Sequence, residues 1–229
     1  MSSSKQKLNI LPEIKILISA GPTREYIDPV RFISNPSTGK MGYLIAEKLK
    51  ERGYSVVLVS GPTHLKPPEG VKIIHVVSAE EMKKAILKEF KNSDCLIMAA
   101  AVSDWKPEKK SGRKLKIKKE WNLKLIPNPD ILKEVSRIKK ENQIVIGFAL
   151  ETEKIKENAL KKLKEKKLDL IVANTPDFFG EGKPSRTIFI SKNGKIMEFK
   201  RINKEKVAEK IIEWLKKNLF HVREEERDC

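Results

Sequence analysis

The sequence predicts an α/β protein built on a doubly wound, mostly parallel sheet. A series of short runs rich in Ile, Val and Leu is apolar at consecutive positions, the pattern of strands buried on both faces. Helical patterns fall between these runs, and that alternation marks βαβ units. The last strand signals form a pair joined by Asn193-Gly194, the dipeptide of a tight hairpin.

Residues 1–12 read as a flexible lead-in without the apolar stretch of a secretory signal. Residues 14–19 (IKILIS) are the first strand, and 40–52 the first helix. Residues 55–60 (SVVLVS) and 71–76 (VKIIHV) are the second and third strands. A helix over 79–91 leads into the fourth, 94–100 (DCLIMAA). An irregular, lysine-dense insertion follows at about 105–127, either a charged loop or a short hairpin. A helix over 130–139 starts on good capping residues. The fifth strand is 143–149 (QIVIGFA), followed by a helix over 153–167 and the sixth strand, 169–173 (DLIVA). Residues 187–191 and 196–200 form the hairpin, and a helix over 203–217 closes the chain. With no linker or repeat in view, 13–218 read as one domain and 219–229 as a tail.

The chain has 229 residues, 39% of them hydrophobic, enough for a sizeable core. No run approaches the roughly 18 apolar residues of a membrane span, so a cytoplasmic protein with no membrane partner is expected. Cys95 and Cys229 suggest neither a disulfide framework nor a CxxC site. His64, His75 and His221 are scattered, so no zinc site or triad is expected, and no resident metal site is read. Lys+Arg outnumber Asp+Glu by 48 to 31, a net charge of +17. A polyanion such as nucleic acid is one reading of that excess. The plainer one is a solvated surface: helices such as 153–167 (EKIKENALKKLKEKK) alternate charge at i,i+4 spacing. A third is local, with some lysines lining a site for a triphosphate or other small anion.

The connection after the first strand, Ser19-Ala20-Gly21-Pro22-Thr23, lacks the GxGxxG fingerprint, which disfavours an ordinary nicotinamide oxidoreductase. Residues 35–42 (NPSTGKMG) open a helix but are not a P-loop. Ser34 stands where the first glycine belongs, and Met41 where Ser or Thr belongs. Free amides at a helix start still suit an anion, or an ordinary N-cap. Ahead of them, the Arg31 guanidinium suits a carboxylate or phosphate, and the Asn35 amide suits a reacting carbonyl or a charged transition state. At the end of the fourth strand, Ala99-Ala100-Ala101 would let a ligand approach the backbone. Asp104 suits a ribose hydroxyl or magnesium. Helix start Asn128-Pro129-Asp130 and strand ends Gly147-Phe148 and Ala173-Asn174 fall in corresponding places. In doubly wound sheets ligands bind outside the carboxyl ends of the strands, so these features predict one cleft. The lysine-rich insertion is placed to fold over an anion there.

The motifs SAGPTREYIDPVRFISNPSTGKMG, MAAAVSDWKP, KIKK, PNPDIL, GFALET and LDLIVANT stand in this order between about residues 14 and 217. Together they resemble the phosphopantothenoylcysteine synthetase (phosphopantothenate–cysteine ligase) family of coenzyme A biosynthesis. The resemblance implies a Rossmann-like domain. It also implies a two-step reaction: a nucleoside triphosphate activates 4′-phosphopantothenate as an acyl nucleotidylate, and cysteine then displaces the nucleotide. The motif wording is of the bacterial kind, which implies CTP with Mg2+; ATP is the alternative. It further implies a homodimer and, in bacteria, a flavin-dependent decarboxylase, often fused ahead. The sequence reads as a synthetase standing alone or excised, with the decarboxylase a separate partner in the first case.

Residue by residue, the resemblance assigns activation to Lys116, with Lys114 just upstream as the alternative, and conversion of the intermediate to Asn35, Arg31 and Ala101. Nucleotide contacts fall on Ala99, Ala100, Ala101, Asp104, Lys116, Pro129, Asp130, Ile131, Leu132, Phe148, Lys162 and Lys166. Lys162 and Lys166 are spaced so that one anion could meet both. Substrate contacts fall on Gly21, Ser37, Gly39, Gly42 and Asn174, while residues 179–186 depart from the family pattern. A nucleic-acid-binding α/β module remains the alternative of another class, but it explains only the net charge.

Overall fold

The computed structural model describes residues 14–116, 119–179 and 183–225, with side chains to Leu219. In chain order the elements are β1 (Lys15–Ala20), β2 (Arg24–Tyr26), β3 (Phe32–Ser34), α1 (Lys40–Glu51), β4 (Ser55–Ser60), β5 (Lys72–His75), α2 (Ala79–Phe90) and β6 (Cys95–Met98). Then come β7 (Trp105–Pro107), β8 (Leu125–Pro127), α3 (Ile131–Ile138), β9 (Ile144–Leu150), α4 (Ile155–Glu165), β10 (Leu170–Asn174), β11 (Ser185–Ser191), β12 (Ile196–Ile202) and α5 (Lys204–Glu225).

The main sheet has eight strands in the order β12-β11-β10-β9-β6-β1-β4-β5. From β5 to β10 every neighbouring pair is parallel; β11 and β12 add an antiparallel hairpin at one edge. The parallel part has the doubly wound order 3-2-1-4-5-6, which reverses direction at β1. Side chains alternate across it. Ile16, Ile18 and Ala20 pack in one core with α1 and α5, whereas Leu17 joins α2, α3 and α4 on the other face. Continuous apolar runs are what such two-sided burial requires, which is why these strands were legible.

Two short ribbons lie outside the main sheet: β2–β3 was not read from the sequence, while β7–β8 agrees with the short-hairpin alternative for the insertion. β2 pairs with β3, Arg24 opposite Ser34. β7 pairs with β8, Trp105 opposite Pro127, closing the insertion at its two ends. Three-residue strands show no periodicity to detect. The closing helix also runs beyond the expected 217 to Glu225, so the start of the expected tail belongs to α5. The expected lead-in, 1–12, lies outside the described residues. Among the described residues no helix is long and apolar enough to cross a membrane.

α1 lies against β1 through Gly42. A Cβ there would sit 2.6 Å from the Ala20 Cβ and 2.9 Å from the Ser19 carbonyl oxygen. Gly42→Ala is expected to lower unfolding free energy by about 1–3 kcal/mol, the cost of overpacking. Urea denaturation checks this: the midpoint should fall with the slope unchanged.

Candidate active site

The loops leaving β1 and β6 are bound to each other at the point where the strand order reverses. Gly21 O accepts from Ala101 N at 2.9 Å, and Ala101 O accepts from Thr23 N at 3.3 Å. Ser19 Oγ accepts from Ala100 N at 3.1 Å, and Thr23 Oγ1 accepts from Ser103 N at 2.9 Å. The Asn35 side-chain amide donates to Ala101 O and Val102 O, both at 3.2 Å. Asn128 donates through its Nδ2 to Ser103 O at 2.9 Å and through its backbone to Asp104 O at 2.8 Å. With its peptide groups held this way, the 99–104 segment presents only small side chains as a floor.

Above this floor lies a cleft of about 800 Å³, within the range of small-molecule sites. Ala99, Ala100, Ala101 and Asp104 line it, with Asn35, Ser37 and Gly39 on the α1 side. Pro129, Asp130, Ile131 and Leu132 enter from the start of α3, Phe148 from β9, Lys162 and Lys166 from the end of α4, and Asn174 from β10. α1 and α3–α4 cover opposite faces of the sheet, so the cleft spans the strand ends between them.

Lys162 and Lys166 are already partnered. Lys162 Nζ donates to Phe148 O at 2.8 Å, and Lys166 Nζ pairs with the Asp130 carboxylate. Burial holds the Lys162 ammonium below the ordinary lysine range, against the opposing pull of Glu151, Asp104 and Asp130. Burial opposes the charge of Asp130, but the hydrogen bonds from Lys166 and Lys133 N outweigh it and hold that carboxyl below its ordinary value. Asp130 thus caps α3 and restrains Lys166 together. The Asn35 bonds occupy both its N–H groups, leaving its carbonyl oxygen for a reacting group. Asn174 is buried, its Oδ1 accepting from Thr187 Oγ1 at 2.8 Å.

Gly21, Gly42, Arg31 and Lys116 were expected in the site but do not line the cleft. Gly42 is packed on Ala20, and Gly21 lies against the Gly61 backbone; neither lines the cleft. Gly39, with φ of 81°, makes the left-handed turn into α1. Arg31 does not face the cleft either. Its guanidinium pairs with Asp28 at 3.3 Å and donates to Leu115 O at 2.6 Å, within the insertion. Lys114 and Lys116 are exposed on either side of Leu115. Ile117 and Lys118 of the KIKK run, and Gly180–Gly182 of the divergent loop, lie outside the described residues.

Other cleft residues were missed in the sequence. Phe178 and Phe179 reach it from the turn after β10, and Lys204 from the start of α5. Lys204 stands 5.5 Å from the Phe178 ring centroid and is 7% exposed. In the sequence it is one lysine among many at a helix start, and nothing marks it.

Fold and cleft together define a Rossmann-like α/β protein with a small-molecule site at the carboxyl ends of its strands. The chain belongs to the family described as the DNA/pantothenate metabolism flavoprotein C-terminal domain, whose model matches residues 11–219. The coenzyme A biosynthesis bifunctional protein CoaBC of Borreliella burgdorferi is 42% identical over 204 residues, 88% of this chain and 52% of that protein. The CoaBC of Bacillus subtilis strain 168 is 48% identical over 169 residues, 73% of this chain and 41% of that protein. The chain thus spans about half the length of the curated relatives it matches. A crystal structure of the C-terminal domain of CoaBC superposes with a TM-score of 0.79 at 40% identity, covering 91% of this chain and 96% of that one.

The lowered pKa of Lys162 has a pH signature. Between its folded value and the unfolded value of about 10.4, the unfolded chain holds more protons, so the stability contributed by Lys162 rises with pH. Lys162→Met removes that term. Denaturant midpoints should show wild type gaining on the variant as pH rises toward about 10.4; a constant difference would contradict the burial effect.

Proposed function

We propose that this chain joins 4′-phosphopantothenate to cysteine, using CTP to activate the carboxylate, in the coenzyme A pathway of the cytoplasm. The observation that carries this reading is the cleft at the strand-order reversal, where the alanine floor, Asn35 and the Lys162/Lys166 pair converge. The relatives named as coenzyme A biosynthesis proteins support it.

In the first step a carboxylate oxygen of phosphopantothenate attacks the α-phosphorus of CTP. A P–O bond forms, the Pα–O bond to the β-phosphate breaks, and pyrophosphate leaves with the bonding pair. Lys162 and Lys166 hold the nucleotide, and the ammonium of Lys116 or Lys114 neutralises charge on the leaving pyrophosphate. Asp104 is an exposed carboxylate on the cleft wall. Such a group suits magnesium, which takes one or two carboxylates and otherwise phosphate oxygens and water. Asp104 would hold it, and bound there it supplies charge neutralisation. In the second step the cysteine amine attacks the acyl carbon, with an N–H directed to the Asn35 carbonyl oxygen. The C–N bond forms, the bond from the acyl carbon to the bridging oxygen breaks, CMP leaves with that oxygen and the bonding pair, and the amine releases its proton to water.

We read the assembly as a homodimer. Val30, Phe32, Trp105 and Leu125 are exposed apolar residues on or beside the two ribbons, and β2 lies against β7. A flavin-dependent decarboxylase, fused or separate, would consume the product.

Pyrophosphate release tests the chemistry. It should require phosphopantothenate and magnesium and run faster with CTP than with ATP, with amide appearing only when cysteine is added. Faster release with ATP would overturn the nucleotide assignment, and none with either would overturn the ligase. Lys116→Ala should lower the rate by about 100-fold and Lys114→Ala by much less; the opposite ranking would move the role to Lys114. Light scattering during gel filtration tests the assembly: wild type should elute as a dimer and Trp105→Glu as a monomer.

A further inference from the structure

The insertion leaves the cleft rim at Asp104 and returns at Asn128, both of which line the cleft. Between these ends it folds back onto the turn joining β2 and β3. Ser111 N donates to Ile27 O at 2.9 Å, and the Lys110 ammonium lies 5.4 Å from the Tyr26 ring centroid. The firmest hold is at Leu115. Its N–H donates to Asp28 Oδ2 at 3.2 Å, and its carbonyl oxygen accepts from Arg31 Nη2 at 2.6 Å. Asp28 is fully buried. Its Oδ1 accepts from Val30 N at 2.8 Å and Arg31 N at 2.9 Å, and its Oδ2 also meets Arg31 Nε at 3.3 Å.

One carboxylate–guanidinium pair therefore grips both peptide groups of the residue between Lys114 and Lys116. We propose that Asp28 is a positioning residue: with Arg31 it clamps Leu115 and fixes these two lysines beside the β2–β3 turn. The inference rests on the ligase reading for the lysines' task, but the clamp itself stands on its own geometry. Arg31 is four positions before Asn35, at most about 14 Å along extended chain. The clamp thus ties the lysine arm to the same short ribbon that delivers Asn35 to the cleft. An acidic side chain is needed because both oxygens must accept. In Asn the amide nitrogen would confront an N–H donor at one end or the other.

Asp28→Asn keeps the volume and removes one acceptor. Trypsin should then cut after Lys114 and Lys116 faster than in wild type, while the melting temperature moves little. Arg31→Lys, which removes the fork from Leu115 O, should do the same and guards against a folding defect peculiar to the first variant. In the pyrophosphate assay Asp28→Asn should lower kcat by about 100-fold, the cost of a small misplacement, with KM for CTP nearly unchanged. In a Lys114→Ala/Lys116→Ala background the same substitution should cost nothing further, because the lysines it positions are gone. A full loss in that background, or unchanged tryptic rates in both variants, would overturn the proposal. A wild type that releases no pyrophosphate with either nucleotide would overturn the ligase reading and the lysines' task with it, while the protease comparison still decides the clamp.

Discussion

The structure depends on how peptide groups are satisfied where β1 and β6 end. A parallel sheet pairs backbone groups only along its strands, and those just beyond must find partners elsewhere or lose free energy. Here the two exits bond to each other, residues 19–23 to residues 99–103. Asn35 and Asn128 bind the same segment from either side. This lacing takes the place of the glycine-rich turn usual in dinucleotide-binding sheets. It leaves a floor of small side chains between the start of α1 and the start of α3.

A surplus of +17 suggests a polyanion when read as a sum, yet the lysines in the cleft are individually restrained. Lys162 is held on a backbone carbonyl and its pKa is lowered by burial, while Lys166 is held on Asp130. Each has a modest partner that a more highly charged phosphate could replace. Preorganised cations of this kind cost little reorganisation when a ligand arrives. Much of the remaining charge is in surface pairs such as Lys48 and Arg52 with Glu209, which contribute little individually.

Arg31 and Asp28 show how a role can change when tertiary neighbours are known. In the sequence Arg31 is a guanidinium near an asparagine, and a substrate anion is a natural partner. In the fold it is bound by a buried carboxylate and directed onto a peptide group 84 positions away. It thereby ties the insertion to the β2–β3 turn. Asp28 carries no sequence signal beyond an Asp-Pro turn, because the groups it serves come from a distant loop.

The sequence by itself determined the parallel sheet, its helices and the terminal hairpin. Burial on both faces leaves unbroken apolar runs, and an Asn-Gly turn has few alternatives. It also determined that the 35–39, 99–104 and 128–132 segments and the 148 and 174 positions would meet, whereas Lys162 and Lys166, on α4, were reached only through the family resemblance. Strand ends in such a sheet converge on one side whatever the loops contain. Only the tertiary structure decided that Gly42 packs rather than binds, that Lys204 and Phe178 reach the cleft, and that Arg31 faces away from it. Those outcomes depend on which side chain approaches which backbone across dozens of residues. Local periodicity and capping carry no record of that.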